Sequence, residues 1–397
     1  MRQYLDIKSG CKDAVLFFRM GDFYEMFFED AKLASRALGI ALTTRDKERD
    51  IPMCGVPYHA AGGYITKLVR KGHKVAICEQ MEQPGQGKGP VERAVTRIVT
   101  PGVALEDELL ESGSNNFIGA ACRGTSGSGF AYMDVSTGEF RITDVKDGDS
   151  LTDEIARINP SELVLQESTD TAGLPVRNVT FLAAYDFKHD VSLERLTAQF
   201  GVASLDGFGC SDLVEGTRAA GALLHYVRDT QKADLGHLRR CTPYYPGDYL
   251  VMDHATRRNL EITENMRSGD RTDTLLSLLD RTRTAMGGRR LREWLTYPLV
   301  DEGEIRTRLD GVEEFVESRE VSLELEELLS GVHDLERLIG RVSLGIASPR
   351  DLVSLKESLK KVPELKQALG GFRAPITAAA AASLDGVPEA VELIEGS

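Results

Sequence analysis

The alternation of apolar and polar positions near the N-terminus predicts a β-hairpin. Residues 14–18 form an apolar run of strand length, and a second β-prone run begins at Phe23. A Gly21-Asp22 pair between two such runs is typical of a two-residue hairpin turn. Because side chains alternate along a strand, Phe23 and Glu25 are expected on one face of the second arm. The tip of the hairpin is therefore expected to carry an aromatic ring beside a carboxylate.

The rest of the first hundred residues mixes helical and strand patterns. Apolar residues recur at helical spacing in two segments, and two further runs have the length and composition of strands. The predicted helices are 29–38, with Gly39 as a C-cap, and 64–69, and the predicted strands are 74–79 and 95–100. Residues 1–102 thus predict an α+β unit around a mixed sheet.

A polar segment separates this unit from a second one. Residues 103–114, which follow Pro101-Gly102, are acidic and rich in Ser and Gly, a composition typical of a linker. Residues 115–246 then show three strand-like runs before helix and strand alternate. The predicted strands are 116–121, 129–135, 138–145 and 162–166, and the predicted helices are 151–158 and 193–200. Three antiparallel strands followed by alternating helix and strand predict an α/β layered fold.

The pattern becomes helical after about residue 247. Two apolar stripes at helical spacing are expected to form a helix-on-helix core. They are Ile305, Leu309, Val312 and Val316, and then Leu335, Leu338, Ile339 and Val342. Ser348 before Pro349 predicts a helix start, because Ser is a favoured N-cap and Pro a favoured first helical residue. The fold class is therefore multidomain, with an α+β, an α/β and an α-helical region in that order.

The charge of the chain is distributed unevenly. A formal net charge of −14 argues against nucleic-acid binding if it is taken for the whole chain. However, residues 1–102 carry 16 Lys and Arg against 12 Asp and Glu, whereas residues 103–246 carry 12 against 22 and residues 247–397 carry 20 against 28. DNA affinity depends on local neutralisation of phosphates. The basic N-terminal unit, which also holds the hairpin, is therefore the candidate DNA-binding part.

Several classes of site and location are not indicated. Apolar runs are shorter than the roughly 18 residues of a membrane span, and no apolar secretory segment follows Met1. The six cysteines are scattered without a C-x-x-C pair, so we expect neither a zinc site nor a disulfide framework, and a reducing cytoplasm fits best. The glycine-rich residues 85–89 include Lys88 but lack the Ser or Thr of a phosphate-binding loop. We expect no catalytic residue, metal or cofactor in this chain.

An exposed aromatic ring beside a carboxylate suits the testing of DNA bases. A ring that enters a base step, next to a group that accepts a hydrogen bond from a base, tests stacking and pairing together. The alternative is an ordinary strand with Phe23 in the core and Glu25 in solvent.

Motifs along nearly the whole chain occur in one order. They are Gly-Asp-Phe-Tyr-Glu-Met-Phe-Phe-Glu-Asp-Ala (21–31), Ile-Pro-Met-Cys-Gly-Val-Pro-Tyr-His-Ala (51–60), Val-Ala-Ile-Cys-Glu-Gln (75–80), Lys-Gly-Pro-Val-Glu-Arg (88–93), Arg-Ile-Val-Thr-Pro-Gly (97–102), Leu-Asp-Gly-Phe-Gly (205–209), Asp-His-Ala-Thr-Arg-Arg-Asn-Leu-Glu-Ile-Thr (253–263), Leu-Glu-Arg-Leu-Ile-Gly-Arg (335–341) and Ser-Pro-Arg-Asp-Leu (348–352). Together they closely resemble the MutS family of DNA mismatch-repair sensors.

The resemblance implies a domain organisation. It implies a mismatch-recognition domain at 1–102, a linker at 103–114, an RNase-H-like connector domain at 115–246 and part of a helical core, or lever, domain at 247–397. It further implies that this chain is an N-terminal fragment without the clamp and the ATPase domain, where the family binds ATP and Mg. Mismatched duplex DNA as ligand, a homodimer of the full-length protein and the partner MutL on the connector domain are likewise implied.

The resemblance also assigns roles at the hairpin. It implies that Phe23 stacks on a mispaired base and that Glu25 hydrogen-bonds to it. Met20 and Asp22 flank the turn and are expected beside the groove. Tyr24 is expected to pack on the other face.

Contacts to DNA phosphates require Arg or Lys near this hairpin. Arg45 lies in a charged loop, and Lys88, Arg93 and Arg97 lie in and after the glycine-rich segment. By resemblance, Arg45 and Arg93 are the best matches to DNA contacts. The alternative for each of them is a solvated surface residue.

Two functions from other classes stay open. A nuclease on the RNase-H-like unit needs several carboxylates converging on adjacent strands, and Asp134 is a candidate. Its neighbours on the next strand are Glu139 and then apolar and basic residues, and no second inward-facing carboxylate is convincingly placed. Alternatively, the acidic residues 103–246 form a protein-docking module. The Tyr58-His59 pair has no nucleophile or carboxylate set beside it by spacing, and we interpret it as structural.

Overall fold

The computed structural model describes residues 1–44, 51–81, 91–106, 108–125 and 127–396. In these ranges it contains two six-stranded sheets followed by a helical region. The predicted multidomain order of α+β, α/β and helical regions is therefore confirmed. No helix in the same ranges is both long and apolar enough to cross a membrane.

The first sheet is built around the predicted hairpin. Its strands are β1 (Ala14–Met20), β2 (Phe23–Phe27), β3 (Thr43–Thr44), β4 (Pro52–Pro57), β5 (Lys74–Gln80) and β6 (Arg93–Val99), and its helices are α1 (Arg2–Ser9), α2 (Phe28–Leu38) and α3 (Ala61–Arg70). The strand order is β3-β4-β2-β1-β5-β6, with β1 and β5 parallel and the other neighbours antiparallel. Helices pack on both faces of β1, which explains why its first five residues are all apolar and buried.

Gly21 and Gly39 adopt a left-handed backbone conformation that other residues rarely adopt. Gly21 has a φ of +59° in the turn between Met20 and Phe23, which pair across the hairpin. Gly39 has a φ of +70° and ends α2, as predicted. Glycine adopts this left-handed conformation without steric cost because it lacks a Cβ atom.

The pattern of residues 52–57 did not predict β4. This strand has proline at both ends and Gly55 in the middle, and these residues weaken the sequence signal of a strand. Pairing along β2 nevertheless forms β4, with Glu25 opposite Gly55 and Phe23 opposite Pro57. The tertiary partner therefore decides the conformation here.

The second sheet has the predicted run of three antiparallel strands. Its strands are β7 (Ile118–Arg123), β8 (Ser128–Asp134), β9 (Glu139–Val145), β10 (Glu162–Gln166), β11 (Val179–Leu182) and β12 (Thr242–Pro243), and its helices are α4 (Gly148–Ile158), α5 (His189–Phe200) and α6 (Val214–Gln231). The order is β11-β10-β7-β8-β9-β12, with β10 parallel to both β7 and β11. A mixed sheet with helices on its faces is the α/β layered fold that the sequence predicts.

The sequence pattern did not predict the 18-residue helix α6. It packs on the second sheet with Ala219, Leu223, Leu224 and Val227 fully buried. A helix that is buried on most sides lacks the polar stripe that marks a surface helix. Its apolar residues therefore do not recur at a single clear spacing.

A buried carboxylate joins the two sheets. Glu162 on β10 accepts hydrogen bonds from Tyr226 Oη at 2.7 Å and from Thr180 Oγ1 at 2.6 Å. Lys74 Nζ at the start of β5 lies 3.7 Å from the Glu162 Oε1 atom and donates to Thr180 Oγ1 at 2.8 Å. Because β5 pairs with β1, this contact ties the sheet of the hairpin to its neighbour.

The remaining elements are helices. They are α7 (His254–Asn259), α8 (Leu275–Leu279), α9 (Ala285–Thr296), α10 (Glu302–Glu317), α11 (Arg319–Ser330), α12 (Leu335–Ser343), α13 (Pro349–Ala368), α14 (Pro375–Ser383) and α15 (Pro388–Glu395). Ser348 caps α13 by accepting from the Asp351 N–H at 3.3 Å, and Pro349 is its first residue, as predicted.

The prediction of a helix-on-helix core for the two apolar stripes is largely wrong. Of the eight residues only Leu338 is buried, whereas Leu309 is 59% and Val316 is 73% exposed. The tightly packed side of α10 instead centres on Gly311, where an added Cβ would lie 2.5 Å from Ile376 Cγ2 of α14. Close backbone approach at a glycine therefore decides which side of α10 is buried.

Candidate nucleic-acid interface

Phe23 is an exposed aromatic residue at the tip of the β1–β2 hairpin. It is the first residue of β2 and is 47% exposed, whereas the next residue, Tyr24, is only 6% exposed. Met26 is fully buried. The expected alternation along β2 is therefore confirmed, and the alternative that places Phe23 in the core is wrong.

Glu25 lies on the same face as Phe23, two residues along β2. It is half-buried and is paired with Phe18 on one side and with Gly55 on the other. A Cβ atom at Gly55 would lie 3.8 Å from both the Phe23 Cδ1 and the Glu25 Cγ atoms. Glycine therefore leaves the flank of both side chains open. No local sequence pattern singles out Gly55, because its position beside Phe23 and Glu25 depends on the unpredicted pairing of β4.

A polar network holds the opposite face of the hairpin. Tyr24 Oη donates a hydrogen bond to the Glu79 carboxylate on β5. The Arg19 guanidinium lies 5.6 Å from the Tyr24 ring centroid and 3.7 Å from the Glu79 Oε2 atom. Burial, followed by the hydrogen bond to Glu79, raises the pKa of Tyr24 well above its usual value. Tyr24 thus packs away from Phe23, as expected.

Tyr58 closes the turn of the hairpin. Its backbone N–H donates to the Asp22 carbonyl oxygen at 2.9 Å, and its ring lies under the Arg19 guanidinium with 3.6 Å to the centroid. The neighbouring His59 ring meets it edge-on at 5.8 Å. These contacts give Tyr58 a structural role beside the turn.

Met20 and Asp22 flank the turn as expected. Met20 is half-buried and packs against the cluster that contains Phe18, and Asp22 is exposed. Asp22 is therefore accessible at the turn, whereas Met20 mainly supports its base.

Arg93 is held on the same face as Glu25. Its guanidinium lies 5.1 Å from the Phe18 ring centroid, and Phe18 is the cross-strand partner of Glu25. It donates hydrogen bonds to the Arg19 carbonyl at 2.7 Å and to Gln3 Oε1 at 3.1 Å. Because these acceptors are neutral, they position Arg93 without cancelling its charge.

The structure does not bring Arg97 into this group. Arg97 pairs with Ile77 and lies on the opposite face of β6 from Arg93, because a bulge shifts the register between them. Its guanidinium forms an ion pair with Glu106 at 2.8 Å. A carboxylate that neutralises Arg97 weakens its attraction for a phosphate. Two other predicted contacts, Arg45 and Lys88, lie outside the described residues.

The carboxylates of the second sheet do not form a metal site in the described residues. Asp134 accepts from the Asn116 N–H at 3.0 Å and the Ser136 N–H at 2.9 Å. Asn115 Nδ2 donates hydrogen bonds to Asp134 Oδ2 at 3.1 Å and to Glu139 Oε2 at 3.3 Å, and so connects the two carboxylates. Glu139 lies opposite Asp134 on the neighbouring strand, as expected. Both side chains are nevertheless engaged by protein donors, and burial raises the pKa of Glu139 to about 7.

Comparison with known proteins covers almost the whole chain. Residues 1–108 match the family described as MutS domain I, residues 116–239 match MutS domain II and residues 255–395 match MutS domain III. A protein of Symbiobacterium thermophilum named DNA mismatch repair protein MutS is 46% identical over 99% of this chain and 46% of its own length. Proteins of the same name from Desulfatibacillum aliphaticivorans and Syntrophomonas wolfei are each 45% identical over 100% of the chain, and 46% and 48% of their own lengths are covered. The chain thus spans about half the length of the curated relatives it matches.

Proposed function

Because the chain belongs to the MutS family, we propose that it recognises mismatched or unpaired bases in duplex DNA and thereby initiates DNA mismatch repair. The observation that carries the proposal is the exposed Phe23 beside Glu25 on one face of a hairpin that is anchored on its other face. Neither residue forms part of a nucleophile or metal constellation in the described residues, so we propose binding, not catalysis, for this chain.

In the proposed mechanism Phe23 enters a base step and kinks the duplex. Unstacking a matched step costs on the order of a few kcal/mol. A mispaired step has already lost part of that stabilisation, so insertion costs less there. Base–aromatic stacking of about 1–3 kcal/mol then favours the complex and tolerates any base. Discrimination arises from deformability, which suits a sensor of many different mismatches.

Glu25 contributes in two ways in this proposal. Its carboxylate accepts a hydrogen bond from the displaced base, or donates one when it is protonated beside the duplex. The same negative charge is repelled by phosphates, which weakens binding to DNA that offers no displaced base. Both effects favour mismatched over matched duplex.

Phosphate contacts fix the hairpin in register on the duplex. Arg93 is the described residue that best fits this role, since its partners are neutral and it lies on the Glu25 face. We propose Arg45 and Lys88 as further contacts on the basis of sequence alone. Arg97 is the weakest of the four, because it is paired with Glu106.

Further partners follow from the family and are proposals for this chain. We propose that MutL contacts the second sheet and its helices, that the full-length protein forms a homodimer, and that ATP and Mg act outside the residues of this chain. A cytoplasmic location fits these roles.

Equilibrium binding tests the proposed function. Fluorescence anisotropy would follow the chain on a labelled duplex with a single G·T mismatch and on the matched duplex at one low salt concentration. The proposal predicts tighter binding to the mismatched duplex. Equal affinities would contradict it and would leave only non-specific binding.

A further inference from the structure

A large cavity lies where the linker, the second sheet and the helical region meet. Its volume is about 870 Å³, and α4, α7 and α9 all contribute to its wall. Small-molecule sites commonly have about 300–1,000 Å³. This cavity contains none of the residues proposed to read DNA.

The wall of the cavity is strongly basic. Among the described residues, nine arginines and five glutamates line it, and no aspartate or lysine does. Five of the arginines contact carboxylates, mainly in pairs such as Arg141 with Glu293 at 2.6 Å. The other four form no ion pair with the described part of the chain, and they are Arg240, Arg257, Arg258 and Arg292.

Two of these four arginines carry buried donors that lack an acceptor. The Arg292 Nη1 atom on α9 and the Arg257 Nε atom on α7 are inaccessible and have no hydrogen-bond partner in the described residues. Most buried donors in native proteins are satisfied, and an unpaired buried charge is costly. Both residues line the cavity, so an anion bound there would offset this uncompensated charge.

The electrostatic environment agrees with this geometry. Burial lowers the pKa of Arg292, and the neighbouring Arg271 lowers it further. Burial also lowers the pKa of Arg257, with a second contribution from Arg157. Nearby carboxylates, Glu264 and Glu111 for Arg292 and Glu154 and Asp153 for Arg257, offset these effects only in part, since the pKa of each arginine is still lowered.

We propose that this cavity binds a small anion with two or more phosphate groups. Among the described lining residues, four arginines without an ion pair outnumber the one glutamate, Glu264, that pairs with no arginine, and this excess of positive charge suits a di- or triphosphate better than a single carboxylate. Guanidinium groups suit phosphate oxygens because their N–H donors form paired, charge-assisted hydrogen bonds. The ligand would contact α4, α7 and α9 together and so stabilise the joint between the second sheet and the helical region.

Inorganic triphosphate is the first probe. Isothermal titration of the 397-residue chain at low ionic strength, without divalent metal, should show saturable binding of one molecule per chain. Thermal unfolding should shift to higher temperature in the presence of the probe, because a ligand that binds only the folded state stabilises it. A nucleoside triphosphate in a parallel titration distinguishes the source of the phosphate, since tighter binding would show that the base also contacts the cavity.

Three variants test the assigned residues. Arg257→Gln and Arg292→Gln should each weaken triphosphate binding about tenfold or more, as expected for one lost charge-assisted hydrogen bond. Arg319→Gln, at an exposed arginine of α11 outside the cavity, is the matched control and should bind as the parent does.

Stability without the probe separates a ligand site from a structural role. Removing an uncompensated buried charge should leave the unfolding temperature of Arg292→Gln unchanged or raise it, whereas loss of a structural arginine would lower it. If Arg292→Gln does not fold, Arg258→Gln at the exposed edge of the cavity takes its place, with a smaller expected loss of affinity. The proposal would be overturned if the parent showed no saturable binding at millimolar triphosphate. It would also be overturned if Arg319→Gln lost as much triphosphate affinity as Arg257→Gln and Arg292→Gln.

Discussion

The Arg19 guanidinium lies 3.6 Å from the ring centroid of Tyr58, and this contact ties the β1–β2 hairpin to the segment after β4. Arg19 also reaches Glu79 on β5, so three strands meet behind the hairpin tip. On the other face, Phe23 is left exposed. A side chain that inserts into DNA can distort the duplex only if it is held rigidly. The contacts of Arg19 with Tyr58 and Glu79 provide this support.

Replacing Tyr58 by Leu should loosen the hairpin without unfolding the sheet. The lost cation–π contact is worth about 0.5–1 kcal/mol at an exposed site. We therefore expect a several-fold lower preference for mismatched duplex in an anisotropy titration, with a nearly unchanged unfolding midpoint. Tyr185→Leu is the control, because Tyr185 has a similar contact with Lys188 at 5.3 Å away from the hairpin. An undiminished preference in Tyr58→Leu would show that the contact does not position Phe23.

Replacing Gly21 by Ala should destabilise the turn through the backbone alone. No atom of the described residues lies within 4 Å of the added Cβ, so the cost comes from the φ of +59°. That cost is roughly 1–2 kcal/mol for an L-residue in the left-handed region. Chemical denaturation should show this loss in the free energy of unfolding, whereas Gly247→Ala, which has open space and no positive φ, should show none. Equal free energies of unfolding for Gly21→Ala and Gly247→Ala would contradict the left-handed conformation assigned to Gly21.

Replacing Glu25 by Gln should raise the affinity for matched duplex more than the affinity for mismatched duplex. Loss of the negative charge removes the repulsion from phosphates, so matched duplex should bind more tightly, and most clearly at low salt. The neutral amide is a weaker acceptor than a carboxylate, so mismatched duplex should gain less or lose affinity. Anisotropy titrations on both duplexes measure this, with the exposed Glu29→Gln on α2 as the control. Matched-duplex affinity that stays constant in Glu25→Gln would count against the repulsive role.

Glu139 should make stability depend on pH. Burial raises its folded-state pKa to about 7, above the usual 4.5, so the folded chain binds more protons than the unfolded chain between these values. Stability from this group is therefore present at low pH and is lost as the pH rises through about 7. Thermal unfolding of Glu139→Gln relative to the parent should favour the variant more at about pH 8 than at about pH 5, by on the order of 1–3 kcal/mol. Parallel pH profiles of the two proteins would contradict this.

Features that depend on neighbouring residues in the sequence were predicted correctly, whereas features that depend on distant partners were not. The turn at Gly21 and the exposure of Phe23 follow from residues that are adjacent in the sequence, and both were predicted. The role of Gly55 follows from the pairing of β4 with β2, which no local pattern shows. The burial of the stripe on α10 was predicted wrongly, because its packing centres on Gly311.

The same distinction applies to the charged residues. The pattern of residues did not separate Arg93 from Arg97, since both lie on β6, and only the family resemblance favoured Arg93. A bulge between them places one over Phe18 and the other beside Glu106. Such a shift of register is set by the partner strand and is invisible in a single sequence.

The proposed function depends most directly on the insertion of Phe23 into a base step at a mismatch. Its most direct test compares Phe23→Ala with Phe181→Ala, because both phenylalanines are 47% exposed and only Phe23 lies at the hairpin tip. Anisotropy titrations on matched and G·T-mismatched duplexes at one low salt concentration would measure both affinities for each variant and the parent. We expect Phe23→Ala to lose about 1–3 kcal/mol on the mismatched duplex only, which abolishes the preference, and Phe181→Ala to retain it. A preference that persists in Phe23→Ala would contradict the account.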